Sequence, residues 1–301
     1  MWHLTPSSEL QLSSFFRTYN LSLYSNFGDG LIRQSEFRTV TGDQADYVKK
    51  FNSYLSILAG LDYFREAPRR LDLDHYNSTD PVVHGPFQKV TANDVTLNFV
   101  TPYLAIDGRL APWLRYNLGW RRDQIGFDNT DLLNPENSYH LWAGINSPKA
   151  TLSFAAPDRL WLPSASLSFG QTFFTNDPRI GTGTQAGTPV SQAHAWQAVV
   201  SKTVLGADLR VTLGRITQEQ SLAKIDPDTG PQFDEGPSRN RYITLAARGQ
   251  FRVGSLQASF SKADARDLSE GAPVPEAPRD DLRRPGNLGS SSVWASRSRG
   301  V

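Results

Sequence analysis

The sequence contains no cysteine, which excludes both a disulfide framework and a thiolate metal site. It also lacks an excess of charge of either sign, because 31 basic residues stand against 30 acidic ones. This balance argues against a general nucleic-acid-binding role. The chain has no run of apolar residues long enough for a transmembrane helix, and its mean hydropathy is −0.43. These absences exclude a transmembrane helix but not a β-barrel, because a barrel strand exposes only every second residue to lipid.

Catalytic and phosphate-binding motifs are also missing. Neither a Gly-x-Ser-x-Gly elbow nor a Gly-x-x-x-x-Gly-Lys loop occurs in the sequence. The histidines are scattered, and no spacing brings two of them together as ligands: they are His3, His75, His84, His140 and His194. We therefore expect no enzymatic activity, no cofactor and no metal centre.

Two acidic segments place carboxylates at alternate positions, as calcium loops do. They are Asp72-Leu-Asp74 and Asp226-Pro-Asp228, and neither continues to the distal glutamate of an EF-hand. A solvated acidic loop is the favoured interpretation for both segments. Calcium binding is the open alternative.

The sequence is rich in segments that alternate apolar and polar residues with a period of two, which is the pattern of strands. The clearest segment alternates an apolar set with a polar set: Leu114, Tyr116, Leu118 and Trp120 against Arg115, Asn117 and Arg121. A dry core cannot hold two arginines and an asparagine without partners, whereas a water-filled lumen can. We expect the apolar set to face lipid and the polar set to face a lumen.

The connections between these segments alternate between short and long. Short turns are expected near Phe51, at Asp107–Gly108, at Ala156–Arg159, at Leu205–Ala207 and at Arg252–Gly254. Long polar connections are expected over residues 65–86, 129–138, 175–192, 226–239 and 264–290. Membrane β-barrels have tight turns at one rim and longer loops at the other.

We therefore predict an all-β fold, an antiparallel meander of about 11–12 strands that is part of a transmembrane β-barrel. Residues 1–301 would form one partial barrel domain, with strands in about 10–262 and a loop or disordered tail over 263–301. In this chain the sheet would be an open, curved half-barrel. Aromatic residues near the ends of the apolar stripes suggest interfacial girdles: Phe15, Tyr19, Tyr63, Phe64, Tyr103, Trp113, Trp120, Trp142, Trp161, Phe173 and Trp196.

Several segments resemble the barrel strands of TonB-dependent outer-membrane receptors. Ser166–Arg179 is similar to a strand that runs into a loop through the pattern N-D-x-R, and Tyr54–Arg70 is similar to the "aGldyrrd" strand. Leu110–Gln124 resembles the "tpwLrl-x-x-GlRyD" strand, and Ser147–Leu152 resembles "sPkaglvy". The pieces follow the family order and cover most of residues 10–262.

The family also has features that this sequence does not show. Its members carry an N-terminal plug domain, a TonB box, a C-terminal strand that ends in an aromatic residue, and a plugged barrel of twenty-two strands. The chain starts without a visible signal peptide and ends at Arg299-Gly-Val301. We expect it to be a middle portion of such a barrel.

The resemblance implies a component of a receptor for active uptake of a scarce solute such as a ferric siderophore, haem or a cobalamin. Its location would be the bacterial outer membrane. The implied partners are outer-membrane lipid, the plug domain, an unidentified small-molecule ligand, and a TonB-type energy-coupling protein that acts through the missing N-terminal part. A nucleic-acid partner is not expected.

Two sets of residues are candidates for ligand or plug contacts. Four arginines have the parity of the expected lumen, namely Arg115, Arg121, Arg210 and Arg248. They would bind an anionic ligand or a plug, or else pair with barrel acids such as Asp94 and Asp123. The family also places contacts in the loop that holds Asn176, Asp177 and Arg179, for which a simple turn is an equal alternative.

Two other functions remain open at the level of the sequence. One is a non-specific, porin-like barrel fragment. A plug domain encoded upstream of this chain would favour the receptor over this alternative. The other is a soluble all-β binding module, which would not partition into detergent.

Overall fold

The computed structural model describes residues 2–26, 31–76, 87–155, 161–175, 190–219, 224–225, 232–233, 236–251, 254–269, 271–273 and 280–283. The strands are β1 (Trp2–Thr5), β2 (Ser8–Asn26), β3 (Leu31–Asn52), β4 (Leu55–Tyr76), β5 (Phe87–Ala111), β6 (Leu114–Asp131), β7 (Tyr139–Asn146), β8 (Lys149–Phe154), β9 (Ser164–Thr175), β10 (Val190–Val204), β11 (Ala207–Gln218), β12 (Lys224–Ile225), β13 (Gln232–Phe233), β14 (Ser238–Phe251), β15 (Gly254–Asp267) and β16 (Asp280–Arg283). A single 3₁₀ turn, Pro135–Asn137, precedes β7. Among these residues no helix is long and apolar enough to span a membrane.

Fourteen strands form one antiparallel sheet in which strands pair with their neighbours in sequence. Both β7 and β8 pair with β6 in a single register, so they are one strand interrupted at Ser147-Pro148. Strands β12 and β13 form a separate pair. The predicted all-β meander is confirmed. Within the described residues the sheet is open, because its order begins at β1 and ends at β16.

The eleven predicted strands are all present, and three shorter ones join them in the sheet: β1, β7 and β16. Strand β15 extends to Asp267, and β16 also lies in the region predicted as a loop or disordered tail, so that prediction is wrong for these residues. The predicted long connection over residues 65–86 is wrong in its first half, because β4 continues to Tyr76. Pairing with β3 and β5 keeps these polar residues extended.

One predicted turn is misplaced. Asp107 and Gly108 lie inside β5, and the chain turns instead at Pro112-Trp113. Asn117 donates a 2.8 Å hydrogen bond to the Asp107 carboxylate from the next strand, and the ring of Tyr116 covers Gly108. These cross-strand partners hold an Asp-Gly pair in a strand where the local sequence favours a turn.

The connections alternate in length between the two ends of the sheet. We call one end the short-turn end, because two-residue connections join the strands there at residues 6–7, 53–54, 112–113, 205–206 and 252–253. The connection between β8 and β9, at the same end, is longer and spans residues 155–163. The opposite, long-loop end has a four-residue connection at residues 27–30 and longer ones at residues 77–86, 132–138, 176–189, 219–237 and 268–279.

The register defines two faces, because residues directly opposite each other on paired strands lie on the same side of a sheet. We call the side of Leu118 the outer face and the side of Arg115 the inner face. The outer face exposes large apolar side chains on strand after strand: Leu61, Leu104, Leu118, Trp120, Leu152, Leu167, Trp196, Val200, Leu213, Leu245 and Phe260. We call this set the apolar band.

The apolar band has the height of a membrane. On β4 it covers residues 55–63, which rise roughly 21 Å along a barrel axis at about 3.4 Å per residue and a tilt of about 40°. Outer-membrane barrels expose an apolar band about 25 Å tall. Strands of 22 and 25 residues, β4 and β5, therefore project beyond it at the long-loop end.

The two faces exchange character where the strands leave the band. On β6 the outer face continues with Arg122, Gln124 and Asp128, whereas Ile125 and Phe127 on the inner face are completely buried. The inner face of β4 to β7 carries most of the main buried cluster, and Val190 of β10 packs against it: Leu71, Val95, Leu97, Phe99, Ile125, Phe127 and Ile145. The core of the molecule thus lies on the inner face at the long-loop end, above the level of the band.

Candidate functional site: the inner face of the sheet

The four predicted lumen arginines lie on one face of the sheet. Arg115 is opposite Ser153, Arg121 is opposite Tyr103, Arg210 is opposite Ser201, and Arg248 is opposite Asp208, and the register connects all four to the inner face. Arg115, Arg210 and Arg248 are exposed near the short-turn end. Their role in binding stays a prediction.

The other predicted contact residues, Asn176, Asp177 and Arg179, lie outside the described residues, as does Asp226–Asp228. Their assignment therefore stays a prediction. The aromatic girdle is correct in part, because Tyr63, Trp120, Trp142 and Trp196 lie on the outer face. Four other members lie on the inner face, where their parity places them: Phe15, Tyr19, Phe64 and Tyr103.

Arg121 is the centre of a group of carboxylates on β3 to β6. Its guanidinium lies 2.7 Å from the Asp123 carboxylate and 3.6 Å from that of Asp62. Thr101 donates a 2.9 Å hydrogen bond to Asp123, which is fully buried. The Tyr103 hydroxyl donates to Asp46 nearby. We call Asp46, Asp62 and Asp123 the carboxylate cluster.

The carboxylate cluster is not neutralised. Asp62 and Asp123 share one guanidinium, Asp46 accepts only from Tyr103, and two buried oxygens, Asp62 Oδ1 and Asp123 Oδ2, have no hydrogen-bond partner among the described residues. A buried carboxylate oxygen without a donor is costly, so native structures normally satisfy it. The cluster is therefore suited to receive a cationic donor from outside the described residues.

A second charged group lies further along the same face and is fully paired. Arg69 lies 3.0 Å from Glu36 and 3.4 Å from Glu66, and Arg38 lies 3.6 Å from each of the two glutamates. The side chains are only 10–27% exposed. We call these four residues the ion-pair square. Because two positive and two negative charges alternate, the square is neutral, although the buried Nε of Arg38 has no hydrogen-bond partner among the described residues.

A β-bulge positions the ion-pair square. Two residues of β4 between Glu66 and Arg69 lie opposite one residue of β3 between Arg38 and Val40, so β4 has one extra residue. Pro68 is a recognisable signal for such a bulge, since proline cannot donate to the ladder. The ion-pair square was not predicted, because residues 65–86 were expected to form a loop. A period-two pattern that shifts by one residue at Pro68 would have indicated Glu66 and Arg69.

The inner face of β8 to β15 is rich in hydroxyl groups, and its charged residues, among them Arg210 and Arg248, are few. Thr151 bonds Ser168 at 3.1 Å, and Thr244 bonds Ser261 at 3.0 Å. The hydroxyl side chains on this face include Thr151, Ser153, Ser164, Ser166, Ser168, Ser201, Thr212, Thr244, Ser259 and Ser261. The inner face thus divides into a half that holds the two charged groups and a half that is lined mainly by hydroxyl groups.

Asp72 and Asp74, one of the two calcium candidates, lie in β4 and not in a loop. Asp72 pairs with Arg70 at 2.9 Å and with Lys89 at 3.2 Å, and buried Asp74 pairs with Arg33 at 2.6 Å. The hydrogen bond to Asp74 raises the pKa of Arg33 above its ordinary value. No group of three or more His, Cys, Asp or Glu in the described part of the chain is arranged to hold a metal ion.

Of the comparisons with known proteins, only the one with solved structures gives matches. No family model matches the chain, and no curated protein matches it. The ferric citrate transporter FecA is 13% identical, with a TM-score of 0.74, over 93% of this chain and 44% of its own. The ferric yersiniabactin uptake receptor FyuA of Yersinia pestis is 12% identical, with a TM-score of 0.69, over 92% of this chain and 44% of its own.

A third match is the ferripyoverdine receptor of the outer membrane of Pseudomonas aeruginosa, which is 14% identical with a TM-score of 0.66, over 91% of this chain and 40% of its own. The chain therefore spans less than half the length of these solved structures. It has the β-barrel fold of TonB-dependent outer-membrane receptors.

Proposed function

We propose that the chain is part of the barrel of a TonB-dependent outer-membrane receptor that imports a scarce solute. The observation that carries this proposal is the division between the two faces at membrane height. The outer face exposes the apolar band, and at the same level the inner face holds polar and charged side chains such as Asp62, Arg115 and Asn117. Exposed Leu and Trp are favourable against lipid, and paired charges are favourable in a hydrated lumen.

A domain that fills the lumen is the proposed partner of the carboxylate cluster. The excess of carboxylates over guanidinium groups and the two unpartnered oxygens of Asp62 and Asp123 favour a Lys or Arg from such a domain. The plug of the receptor would supply this side chain. The ion-pair square, which is already neutral, would hold the bulged strands together without the plug.

The long-loop end supports a receptor over a diffusion porin. There the inner face is packed with apolar side chains, and Phe173 of β9 and Val190 of β10 pack against the cluster that β5 and β6 supply. A water-filled diffusion channel needs a polar wall along its full height. A passage narrowed by an apolar cluster favours capture of a specific ligand.

The ligand class is proposed from the matched structures. They are named for ferric citrate, ferric yersiniabactin and ferripyoverdine, so we propose a ferric siderophore, with haem or a cobalamin as alternatives. Loop residues Asn176, Asp177 and Arg179 and lumen arginines Arg115, Arg121, Arg210 and Arg248 would contact the ligand or the plug. Energy would come from a TonB-type protein, and the chain itself would catalyse no reaction.

An uptake assay tests this function in the full protein that contains the chain. Iron-starved cells that lack their own siderophore receptors are given radiolabelled ferric siderophores, with and without a protonophore. We expect uptake that stops when the proton gradient is removed, and a decrease in uptake when Asp62 and Asp123 are both changed to Asn. A Glu9→Gln variant at the start of β2, where the glutamate side chain is 28% exposed, serves as the control. Uptake that continues without the gradient would support the porin instead.

A further inference from the structure

A cavity of about 650 Å³ lies on the inner face at the short-turn end, where β8, β9, β10 and β11 lie side by side. Most of its lining residues have the parity of the inner face, and five of them carry a hydroxyl group. We call it the serine cavity, and its hydroxyl and guanidinium groups belong to Ser153, Ser164, Ser166, Ser201, Thr203 and Arg210. It lies in the half of the inner face that holds neither the carboxylate cluster nor the ion-pair square.

The four serines of the cavity are not bonded to each other. Ser153 lies opposite Ser166 and Ser164 lies opposite Ser201 in the register, yet no side-chain hydrogen bond joins any of them to another described residue. Nearby on the same face, two opposite hydroxyls are paired across β8 and β9 at 3.1 Å. A serine hydroxyl can both donate and accept hydrogen bonds. The four serines are therefore available to a ligand that carries hydroxyl groups of its own.

Two arginines place positive charge beside these hydroxyl groups. Arg210 lines the cavity, and Arg248 is its diagonal neighbour on β14, because Arg210 lies opposite Ala246 in the register. Diagonal neighbours are about 7–8 Å apart, a distance that long side chains can bridge. Neither arginine forms an ion pair with a carboxylate in the described part of the chain. The one carboxylate of the described lining, Asp208, accepts a 2.5 Å hydrogen bond from Thr203, so positive charge is in excess.

The connection between β8 and β9 closes the end of the cavity. Leu162 belongs to this connection and lines the cavity together with Phe154, the last residue of β8. The ammonium group of Lys202 donates a 2.8 Å hydrogen bond to the carbonyl oxygen of Trp161, which holds the connection against β10. The two-residue turns at the same end are too short to form such a wall. Buried Val199 adds an apolar surface, so the cavity has a floor and one closed end.

We propose that the serine cavity binds a hydroxylated carboxylate, with the carboxylate between Arg210 and Arg248 and the hydroxyl groups of the ligand against the serines. This inference rests on the proposed function, since it requires the inner face to line a passage for a solute. A guanidinium group presents planar donors that match a carboxylate. A neutral polyol would leave the two arginines without a partner, and a simple carboxylate would leave the serine hydroxyls unused.

The cavity lies on the exit side of the proposed passage. Short turns of outer-membrane barrels face the periplasm. The buried apolar cluster lies at the opposite end of the same face, so a solute that has passed this cluster reaches the serine cavity before it leaves the passage. The cavity would hold the solute there and hinder its return.

The test uses the full protein that contains the chain, reconstituted in lipid nanodiscs, and measures dissociation constants by ligand-detected NMR. The probes are gluconate, which has a carboxylate and a chain of hydroxyl groups, sorbitol, which has hydroxyl groups alone, and hexanoate, which has a carboxylate alone. The cavity variants are Arg210→Gln and Ser201→Ala. Their matched controls are Arg109→Gln and Ser259→Ala, which change the same residue types on the inner face outside the cavity.

We expect the wild type to bind gluconate at least about tenfold more tightly than sorbitol or hexanoate, because gluconate alone bonds to both the arginines and the serines. Arg210→Gln should weaken gluconate binding about tenfold and Ser201→Ala about threefold, while both control variants keep the wild-type affinity. Equal affinity for the three probes, or equal losses in cavity and control variants, overturns the inference. Inorganic phosphate that binds as tightly as gluconate also overturns it, since this would indicate a simple anion site. Energy-dependent uptake tests the proposed function separately and is unaffected by these outcomes.

Should a cavity variant fail to fold, which heat-modified gel mobility reveals, a protection assay provides the second measurement. Thr203→Cys places a thiol in the cavity wall, and Ser259→Cys places one on the same face outside the cavity. Both variants react with N-ethylmaleimide, and mass spectrometry of the labelled peptides gives the two rates. Saturating gluconate should slow the reaction at position 203 and leave the rate at position 259 unchanged. A rate at position 203 that gluconate does not change contradicts the inference.

Discussion

Replacing Leu118 with arginine is the perturbation that separates a membrane wall from a water-exposed sheet. Leu118 lies near the middle of the band on β6, its side chain is 47% exposed, and its neighbours across the strands are Ile106 and Ala150. An arginine on the lipid face of a barrel costs about 2–4 kcal/mol near the bilayer midplane. This cost corresponds to a decrease of about 30- to 900-fold in the folding equilibrium constant.

Two matched variants on the same strand test the reasoning. Asn117→Arg adds the same group to the inner face, where it loses an exposed 2.8 Å hydrogen bond to Asp107 and should cost no more than about 1 kcal/mol. Gln124→Arg lies on the outer face but beyond the band, where the expected change is within about 0.5 kcal/mol. The free energy of unfolding is measured by guanidinium titration in phospholipid vesicles, with tryptophan fluorescence as the signal. Equal costs at positions 117 and 118, or a cost at 124 as large as that at 118, would refute the assignment of the faces.

Three further predictions concern packing and charge on the inner face. Phe127→Ala should cost about 3–5 kcal/mol in the same titration, because the ring is completely buried in the cluster at the long-loop end, and a cost below about 1 kcal/mol would contradict that packing. Gly60→Ala would place a Cβ atom 2.2 Å from the Tyr103 ring, so we expect a loss of about 1–3 kcal/mol that is smaller in a Tyr103→Ala background; additive losses in the double-mutant cycle would exclude the contact. Glu66→Gln leaves the two arginines of the ion-pair square with one carboxylate, and should lower the unfolding free energy by about 1–3 kcal/mol, whereas an unchanged value would show that the square contributes nothing to stability.

The meander could be predicted from the sequence because it depends on local signals. Period-two alternation identified each of the long strands, and the alternating lengths of the connections identified which ends of the strands meet. The parity of β6 was correct in detail, since Leu118 and Trp120 lie on the face opposite to Arg115 and Arg121. Within the band, one face is apolar and the other polar, so parity alone is informative.

The upper parts of the strands could not be predicted in this way. Beyond the band the faces exchange character, so the apolar residues Ile125 and Phe127 have the same parity as Arg121. A prediction that expects the same face to be apolar along the whole strand fails at this point, because the alternation changes its phase and resembles the start of a loop. The bulge next to Pro68 has the same effect on β4, because it shifts the parity by one residue.

The charged groups of the inner face were only partly predictable. Arg121 was identified from its parity, but its partners Asp62 and Asp123 come from two different strands. Which carboxylate meets which guanidinium depends on the register between strands, and the sequence pattern leaves that register undetermined. Unpartnered oxygens, such as Asp123 Oδ2, can be recognised from coordinates alone.

The accessibility of spin labels on β6 to oxygen and to a water-soluble nickel complex is the most direct test of the claim that this sheet is a barrel wall in a membrane. The chain has no cysteine, so single cysteines at positions 114–128 can each carry a spin label without background. In bilayers, we expect labels at 114, 116, 118 and 120 to contact oxygen dissolved in lipid, and labels at 115 and 117 to contact a water-soluble nickel complex. The pattern should then invert, with 124 and 128 accessible to nickel and 125 and 127 accessible to neither reagent. Access of nickel to both 117 and 118, or an alternation that continues unchanged past 122, would contradict the transmembrane barrel.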